Sequence, residues 1–327
     1  GGHVVDLLVD RGEEVRALVR PEEAGESVRR LERLGVAVCR GDLADSASAA
    51  QAVAGADRVL HCAARTGPWG PRREYQAANV TGLGALLDAA LDAGVRRFVH
   101  VSSITVHGND VRGTADETAP LRIERNPYSW SKVLGERLLE RAIAERRAPV
   151  TIVRPGWVYG PRDSASFGRF AAMIRQGKMV RIGSGANHLP LIYVGDVARG
   201  ILLASEAERA VGRAYILVND EPVTQRDYLE AIAAELGVAP PRRHVPYRPA
   251  LAAGVLFETL GRALRRRQPP PLMRYGVQML GGENRFVIRR AREEIGFSPR
   301  VSLTEGVRRG IAWYRSAFPA ADGRKEE

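Results

Sequence analysis

The sequence predicts an α/β protein: a doubly wound parallel sheet covered by helices on both faces, followed by a smaller C-terminal lobe. Two observations carry this prediction. Through the first half of the 327-residue chain, short apolar runs of strand length alternate with longer amphipathic stretches, and such alternation builds a parallel sheet buried between helix layers. After Arg154 the alternation is interrupted by Pro155, Gly156, Gly160 and Pro161, where a second lobe begins.

Residues 1–11 place apolar groups at helical spacing and stop at Gly12, a C-terminal cap. Residues 15–19 then read as a buried strand, 22–34 as a helix, 36–39 as a strand, 46–54 as a helix and 57–63 as a strand. A helix over 78–93, a strand over 98–101, a helix over 127–147 and a strand over 150–153 continue the series. After a helix over 166–176, the stretches 191–194, 196–204 and 214–218 return to the sheet layer. The helix over 225–236 and a long apolar helix over 245–264 belong to the lobe, and the polar tail 320–327 is expected to fray. The expected division is a sheet domain over 1–160, with a return segment over about 189–222, and a lobe over 161–188 and 223–327.

In such a sheet, ligands bind outside the carboxyl ends of the strands. A dinucleotide site there needs a glycine turn between the first strand and the first helix, whose backbone N–H groups hold a pyrophosphate. Gly1, followed at once by an amphipathic helix, a stop at Gly12 and a strand ending at Val19, has the layout expected just after a G-x-x-G-x-x segment. Gly1 is therefore read as the last glycine of that turn. The expectation is an N-terminally truncated sheet, its first strand and most of its glycine loop absent, that binds dinucleotide poorly as it stands.

The hydrophobic content of 45% is ordinary for a globular protein. Only two cysteines occur, Cys39 and Cys62, each in a strand-like run, which suggests packed thiols in a reducing, cytoplasmic setting. No apolar run reaches the ~18 residues of a membrane span, and no charged-then-apolar leader pattern is visible. The formal charge of +11 is spread along the chain without a recognisable nucleic-acid module, so an anionic ligand or anionic lipid is favoured over nucleic acid. Six scattered histidines and two cysteines give no ligand cluster, and no metal is expected.

The chemistry centres on Tyr128-Ser129-Trp130-Ser131-Lys132, which puts a phenol and an ammonium four residues apart on one helix face. A free tyrosine has a pKa of about 10, and a nearby cation favours its phenolate. The chain has 9 Tyr but only 3 Lys, Lys132, Lys178 and Lys325, so chance would give on the order of 0.1 such pairs. A surface helix that happens to carry both residues is the bland alternative.

Further motifs resemble the extended short-chain dehydrogenase/reductase superfamily, and the resemblance covers nearly the whole chain. Gly41-Asp42-Leu43 resembles its turn against the adenine, Leu60-His61-Cys62-Ala63-Ala64 its strand-to-loop segment beside the cofactor, and Asn79-Val80-Thr81-Gly82 its NVxG helix start. The segment from Val101 through Ser102, Ser103 and His107 to Gly108 resembles SSxxVYG, with His107 where tyrosine is usual. Arg154-Pro155-Gly156-Trp157-Val158-Tyr159-Gly160-Pro161 resembles RPxxVYGP, and Ile192-Tyr193-Val194-Gly195-Asp196-Val197-Ala198 resembles (H/Y)VxDVA. The resemblance implies a Rossmann-type dinucleotide-binding domain with Ser103, Tyr128 and Lys132 as catalytic residues. It also implies cofactor contacts at Gly1, Arg20, Asp42, Leu43, Cys62, Ala63, Ala64, Asn79, Ser102, Tyr128, Lys132, Pro155 and Val158. The residue types suit carbonyl reduction: the oxygen of a ketone becoming an alkoxide needs a hydrogen-bond donor and a proton donor together, and Ser103 and Tyr128 offer them. His61 and His107 are expected to be packing or loop residues rather than bases.

Arg20 stands where an acidic residue would grip the ribose 2′-OH of NAD, so NADP is favoured, with NAD as the alternative. Among substrates, nucleotide-sugar epimerases and dehydratases commonly carry an arginine in a GxGxQxRDF segment, and here Leu189 takes its place in the stretch from Gly183 to Leu191. The loop 64–70 with Tyr75, and Pro269-Pro270-Pro271-Leu272-Met273-Arg274-Tyr275, resemble instead the 3β-hydroxysteroid dehydrogenase group and its bacterial relatives that reduce β-keto acids. An apolar substrate is expected, with Trp69, Tyr159 and the helix over 245–264 offering rings and aliphatic surface. That helix ends in Arg265-Arg266-Arg267 and could instead touch an anionic membrane or serve only as lobe core. A homodimer is left open, as are a sugar-nucleotide enzyme and a non-catalytic dinucleotide-binding regulator.

Overall fold

The computed structural model describes residues 1–319. Its main sheet is parallel, with Val150–Pro155 between Ala214–Leu217 and Arg97–Val101, and Arg58–His61 on the far side of Arg97–Val101. The strands Arg16–Val19 and Ala37–Arg40 form a separate parallel pair. Register aligns His61 with His100 and Val101 with Val153, which brings the carboxyl ends of these strands to one edge. The α/β class and the doubly wound arrangement predicted from the alternation are what the chain adopts.

Local chemistry explains where the helices start. Asp45 caps Ser46–Val53 by accepting from the Ala47 and Ser48 amides. Thr224 and Asp227 close a reciprocal capping box on Gln225–Leu236, which ends at Gly237 in the left-handed region. The sheet is covered on one face by Gly2–Asp10 and Val194–Glu206 and on the other by Ser46–Val53, Gly82–Asp92 and Pro127–Arg146. A separate core holds the lobe, built on Phe167, Ile174, Tyr228, Ile232, Val307 and Ile311.

Several expected boundaries shift for physical reasons. The helix expected over 22–34 starts only at Glu26, after Pro21 and a Gly25 at φ 97°. The helix expected over 78–93 begins earlier, at Arg72, and runs through Arg72–Gln76 and a wider-wound turn over Ala77–Thr81 into Gly82–Asp92. The long apolar helix begins at Tyr247, because His244–Val245 pairs with Arg181–Ile182 as a short strand. Three helices carried no assignment from sequence: Arg274–Gly281, Arg289–Ile295 and Leu303–Ala317. The expected division also needs one correction, since Ile288, Ala291, Ile295 and Phe297 pack into the sheet core rather than the lobe. The tail 320–327 lies outside the described residues.

Where the chain leaves the main sheet, Gly156 is the enabling residue. A Cβ there would sit 2.1 Å from the Pro190 carbonyl oxygen, so only glycine lets the Trp157 amide donate to that oxygen at 2.6 Å. This contact starts the parallel pairing of Trp157–Tyr159 with Leu191–Tyr193. Among the described residues, no helix is long and apolar enough to cross a membrane.

Candidate active site

The Pro127–Arg146 helix begins with Asn126, whose side chain accepts from the Ser129 amide at 2.8 Å, and with proline in its first turn. That start fixes the rotation of the helix, so that Tyr128, Lys132 and Glu136, each four residues apart, follow one another along one face. The Lys132 Nζ donates to the Val101 carbonyl at 2.7 Å and lies 6.0 Å from the centre of the Tyr128 ring. Only 3% of Lys132 is exposed. Burial pulls its ammonium down to about 8, against the opposing pull of Glu136 and Cys62.

Burial pushes the Tyr128 phenol up, and the neighbouring Ser103 hydroxyl pulls it back down. Ser103 follows the Arg97–Val101 strand and caps the short turn Ile104–His107. Its Oγ accepts from the Thr105 amide at 3.2 Å and from the Thr105 hydroxyl at 3.1 Å, which leaves its own O–H to donate. Ser103, Tyr128 and Lys132 thus converge at the carboxyl edge of the sheet.

A buried charge network stands behind them. Glu136 is fully buried and takes Arg154 as a fork: Nε reaches its two oxygens at 3.0 and 3.1 Å, and Nη2 reaches Oε2 at 2.5 Å. The Ser102 hydroxyl donates to the same carboxylate. Arg154 also donates through Nη1 to the Glu117 carbonyl and to His107 Nε2, each at 3.2 Å. Burial and the Arg154 charge hold the His107 imidazole down to about 4, so it is a neutral acceptor there. His61 and His100 stack at 5.3 Å between ring centres, and burial holds His61 down to about 3. Both act as neutral packing groups on the sheet.

The expected cofactor residues divide into two sets. Gly1 precedes the Gly2–Asp10 helix, whose start has no side-chain cap, and an added Cβ on Gly1 would lie 3.7 Å from Cys62. Cys62 and Ala64 are half-buried and Ala63 is exposed in the loop after Arg58–His61. Asp42 is exposed beyond Ala37–Arg40 and accepts from the Ala44 amide at 2.8 Å, while Leu43 packs under Gly82. Arg20 lies exposed just beyond Arg16–Val19, paired with Glu22 at 3.4 Å and Glu23 at 3.2 Å. Val158 is half-buried on Trp157–Tyr159. This set borders the carboxyl edge.

The other expected contacts turn inward. Ser102 is 4% exposed and spends its hydroxyl on Glu136. Asn79, 3% exposed, accepts from the Arg65 amide at 2.7 Å and donates to the Arg65 carbonyl at 2.9 Å and the Ser131 hydroxyl at 2.8 Å. It therefore fastens the loop after Cys62 to the catalytic helix instead of reaching out to a ligand. Pro155 is buried in the sheet opposite Leu217. Tyr159 is core rather than pocket wall, 1% exposed and edge-on to Tyr228. Trp69 packs over Gly261 with Arg262 above its ring.

Sequence reasoning assigned no role to Glu136, Arg154 or Tyr275. Glu136 was findable, because it continues the four-residue spacing of Tyr128 and Lys132. Tyr275, on Arg274–Gly281, has its phenol held up by burial and by the neighbouring Tyr128, and nothing in its local sequence signals that meeting.

These residues fit a nicotinamide dinucleotide. An uncapped helix start beside Cys62 offers backbone N–H groups to a pyrophosphate, the exposed Arg20 stands just beyond Arg16–Val19, and a buried ammonium and phenol lie on the Pro127–Arg146 helix beside the Val101 carbonyl. A sequence model of the NAD dependent epimerase/dehydratase family matches residues 1–217. The chain belongs to that family. It is 32% identical over 315 residues to the 2-alkyl-3-oxoalkanoate reductase of Stenotrophomonas maltophilia, covering 92% of each chain. It is also 32% identical to the 4-hydroxy-2-methyl-3-oxo-4-farnesyl-3,4-dihydroquinoline-1-oxide ketoreductase of Stigmatella aurantiaca, over 99% of this chain and 95% of the relative. The crystal structure of gox2253 superimposes with a TM-score of 0.81 at 29% identity, covering 97% of this chain and 95% of that one. The family is one of NAD-dependent oxidoreductases and epimerases, and the two relatives named here are, by their names, a 3-oxoalkanoate reductase and a ketoreductase.

Proposed function

We propose that the chain is an NAD(P)-dependent reductase that interconverts a ketone and a secondary alcohol on an apolar substrate, of the β-keto acid or 3β-hydroxysteroid type. The observation that carries this reading is the convergence of Ser103, Tyr128 and Lys132. A bound nicotinamide dinucleotide supplies or accepts the hydride. The protein's residues manage the oxygen. Ser103 donates a hydrogen bond to the carbonyl oxygen, and Tyr128 delivers the proton that turns the alkoxide into an alcohol. The Lys132 ammonium lowers the cost of the phenolate left behind. Gly1, Asp42, Leu43, Cys62, Ala63, Ala64 and Val158 would hold the dinucleotide, with Ser102 and Asn79 acting through Glu136 and the loop.

The ketone class is supported by the names of the two reductase relatives, whose substrates carry alkyl or farnesyl chains beside a keto group. Leu189, at the position where sugar-nucleotide enzymes use an arginine, is 5% exposed and packed in the lobe core. The Leu189 side chain itself offers a diphosphate no charge. The test offers hydrophobic ketones, β-keto acids and UDP-sugars to the enzyme with NADPH or NADH. Turnover of the hydrophobic ketones alone is expected, and turnover confined to a sugar nucleotide would replace this reading with the epimerase one.

Arg20 favours NADP in this reading, since a guanidinium matches a phosphate in shape and charge. Arg20→Asp is expected to lower the NADPH over NADH ratio of kcat/KM at least tenfold, through repulsion of the 2′-phosphate. Glu22 and Glu23 already share the Arg20 charge, so the wild-type preference is expected to be modest. An unchanged ratio in Arg20→Asp would assign cofactor choice to another residue.

A further inference from the structure

The outward side of the Tyr247–Ala263 helix is apolar and uncovered. Leu256, Leu260 and Leu264 recur every four residues at 56%, 48% and 72% exposure, flanked by exposed Val255 and Phe257. Single exposed leucines are ordinary on a protein surface, but a contiguous row of this kind marks an interaction site. Immediately beyond the row come Arg265, Arg266 and Arg267, all exposed, with Arg262 on the preceding turn. From Gly237 to Gly282 the sequence carries eight arginines and a single acidic residue, Glu258. That glutamate is turned inward, 12% exposed, accepting from the Arg274 amide at 2.7 Å.

We propose that this face rests on an anionic membrane surface, the leucine row entering the headgroup boundary and the arginines pairing with lipid phosphates. An apolar stripe bordered by cations is the pattern of an interfacial helix, in which arginine stems lie along the apolar layer while their heads reach the charged surface. A second copy of the chain fits the face less well. Stacking two such faces would bring both arginine rims together with no exposed carboxylate from this segment between them.

The same helix is joined to the candidate active site by two routes. Trp69 lies against Gly261 and donates through Nε1 to the Arg266 carbonyl at 3.2 Å. Its loop is anchored to the catalytic helix through Asn79 and Ser131. On the other side the helix packs against Arg274–Gly281, whose Tyr275 neighbours Tyr128. A substrate dissolved in lipid would therefore have a short passage to the site. That delivery role rests on the apolar-substrate reading above, whereas attachment to lipid does not.

The experiment is co-flotation of the full chain with vesicles of phosphatidylcholine alone, or with about one third phosphatidylglycerol. Binding to the anionic vesicles alone is expected, falling steeply between ~0.05 and ~0.5 M salt. Replacing Arg265, Arg266 and Arg267 together by Glu is expected to weaken binding about a hundredfold or more. Replacing Leu256, Leu260 and Leu264 together by Ser is expected to weaken it at least about tenfold. Melting curves check that these surface variants remain folded, and the salt titration of the unaltered chain tests the proposal without any variant. Equal binding to both vesicle types, no binding to either, or a dimer in solution that dissociates in the leucine variant would each overturn the proposal. Since flotation requires no turnover, its outcome is independent of the substrate assignment.

Discussion

Tyr128→Phe is expected to lower kcat by about 10²-fold or more while leaving the melting temperature within a few degrees of the unaltered chain. The substitution removes one O–H and keeps the ring that stands 6.0 Å from the Lys132 ammonium. Ser103→Ala should follow closely, because it removes the hydrogen-bond donor to the same oxygen and the group that stabilises the Tyr128 phenolate. Near-normal turnover in Tyr128→Phe would sink the proposed proton transfer. Lys132→Met should be equally inactive, with a second signature. The folded protein holds the Lys132 ammonium near 8, below its ordinary 10.5, so the unfolded chain binds the extra proton between those values. Burying the cation at neutral pH therefore costs on the order of 3 kcal/mol, relieved as pH rises through 8 toward 10.5. Lys132→Met is accordingly expected to melt higher than the unaltered chain at pH 7, with the gap closing in alkali. Thermal scans across that pH range read the difference directly.

The sheet was legible in the sequence because each strand carries a short apolar run between amphipathic helical stretches, a pattern that survives without tertiary information. Tyr128 and Lys132 were legible as a pair because they share one helix face at a fixed spacing, whereas Ser103 was named only through the resemblance of its segment to SSxxVYG. What sequence could not show is where long-range hydrogen bonds send a side chain. Ser102 and Ser103 are neighbours in the chain, yet one turns to Glu136 and the other to Tyr128. Asn79 looks like a ligand contact until its amide is seen to be committed to Arg65 and Ser131. Tyr159 carries the chemistry of a pocket residue but fills the lobe core beside Gly306, where its phenol occupies the space a Cβ would need. The helices after Arg274 were missed because proline-rich and arginine-rich flanks hide their short apolar faces, which are completed only by packing against the sheet and lobe cores.

Arg154→Met is expected to be the most destabilising of the substitutions considered, by about 3–5 kcal/mol, because it strands a fully buried carboxylate. For a chain of 327 residues, that corresponds to a loss of about 4–7 °C in melting temperature. Removing both charges in Glu136→Gln with Arg154→Met should recover much of the loss, since the cost lies in the uncompensated charge rather than in a missing attraction. The network also reaches the chemistry. Glu136 raises the Lys132 ammonium against its burial, so Glu136→Gln should let Lys132 lose its proton at lower pH and shift the alkaline fall of kcat downward. In Arg154→Met the carboxylate is no longer shared, and its pull on Lys132 strengthens. The alkaline fall then moves upward. A purely structural pair would change the melting temperatures and leave both pH profiles in place, so opposite displacements of the two profiles are the result that ties Glu136 and Arg154 to the poise of Lys132.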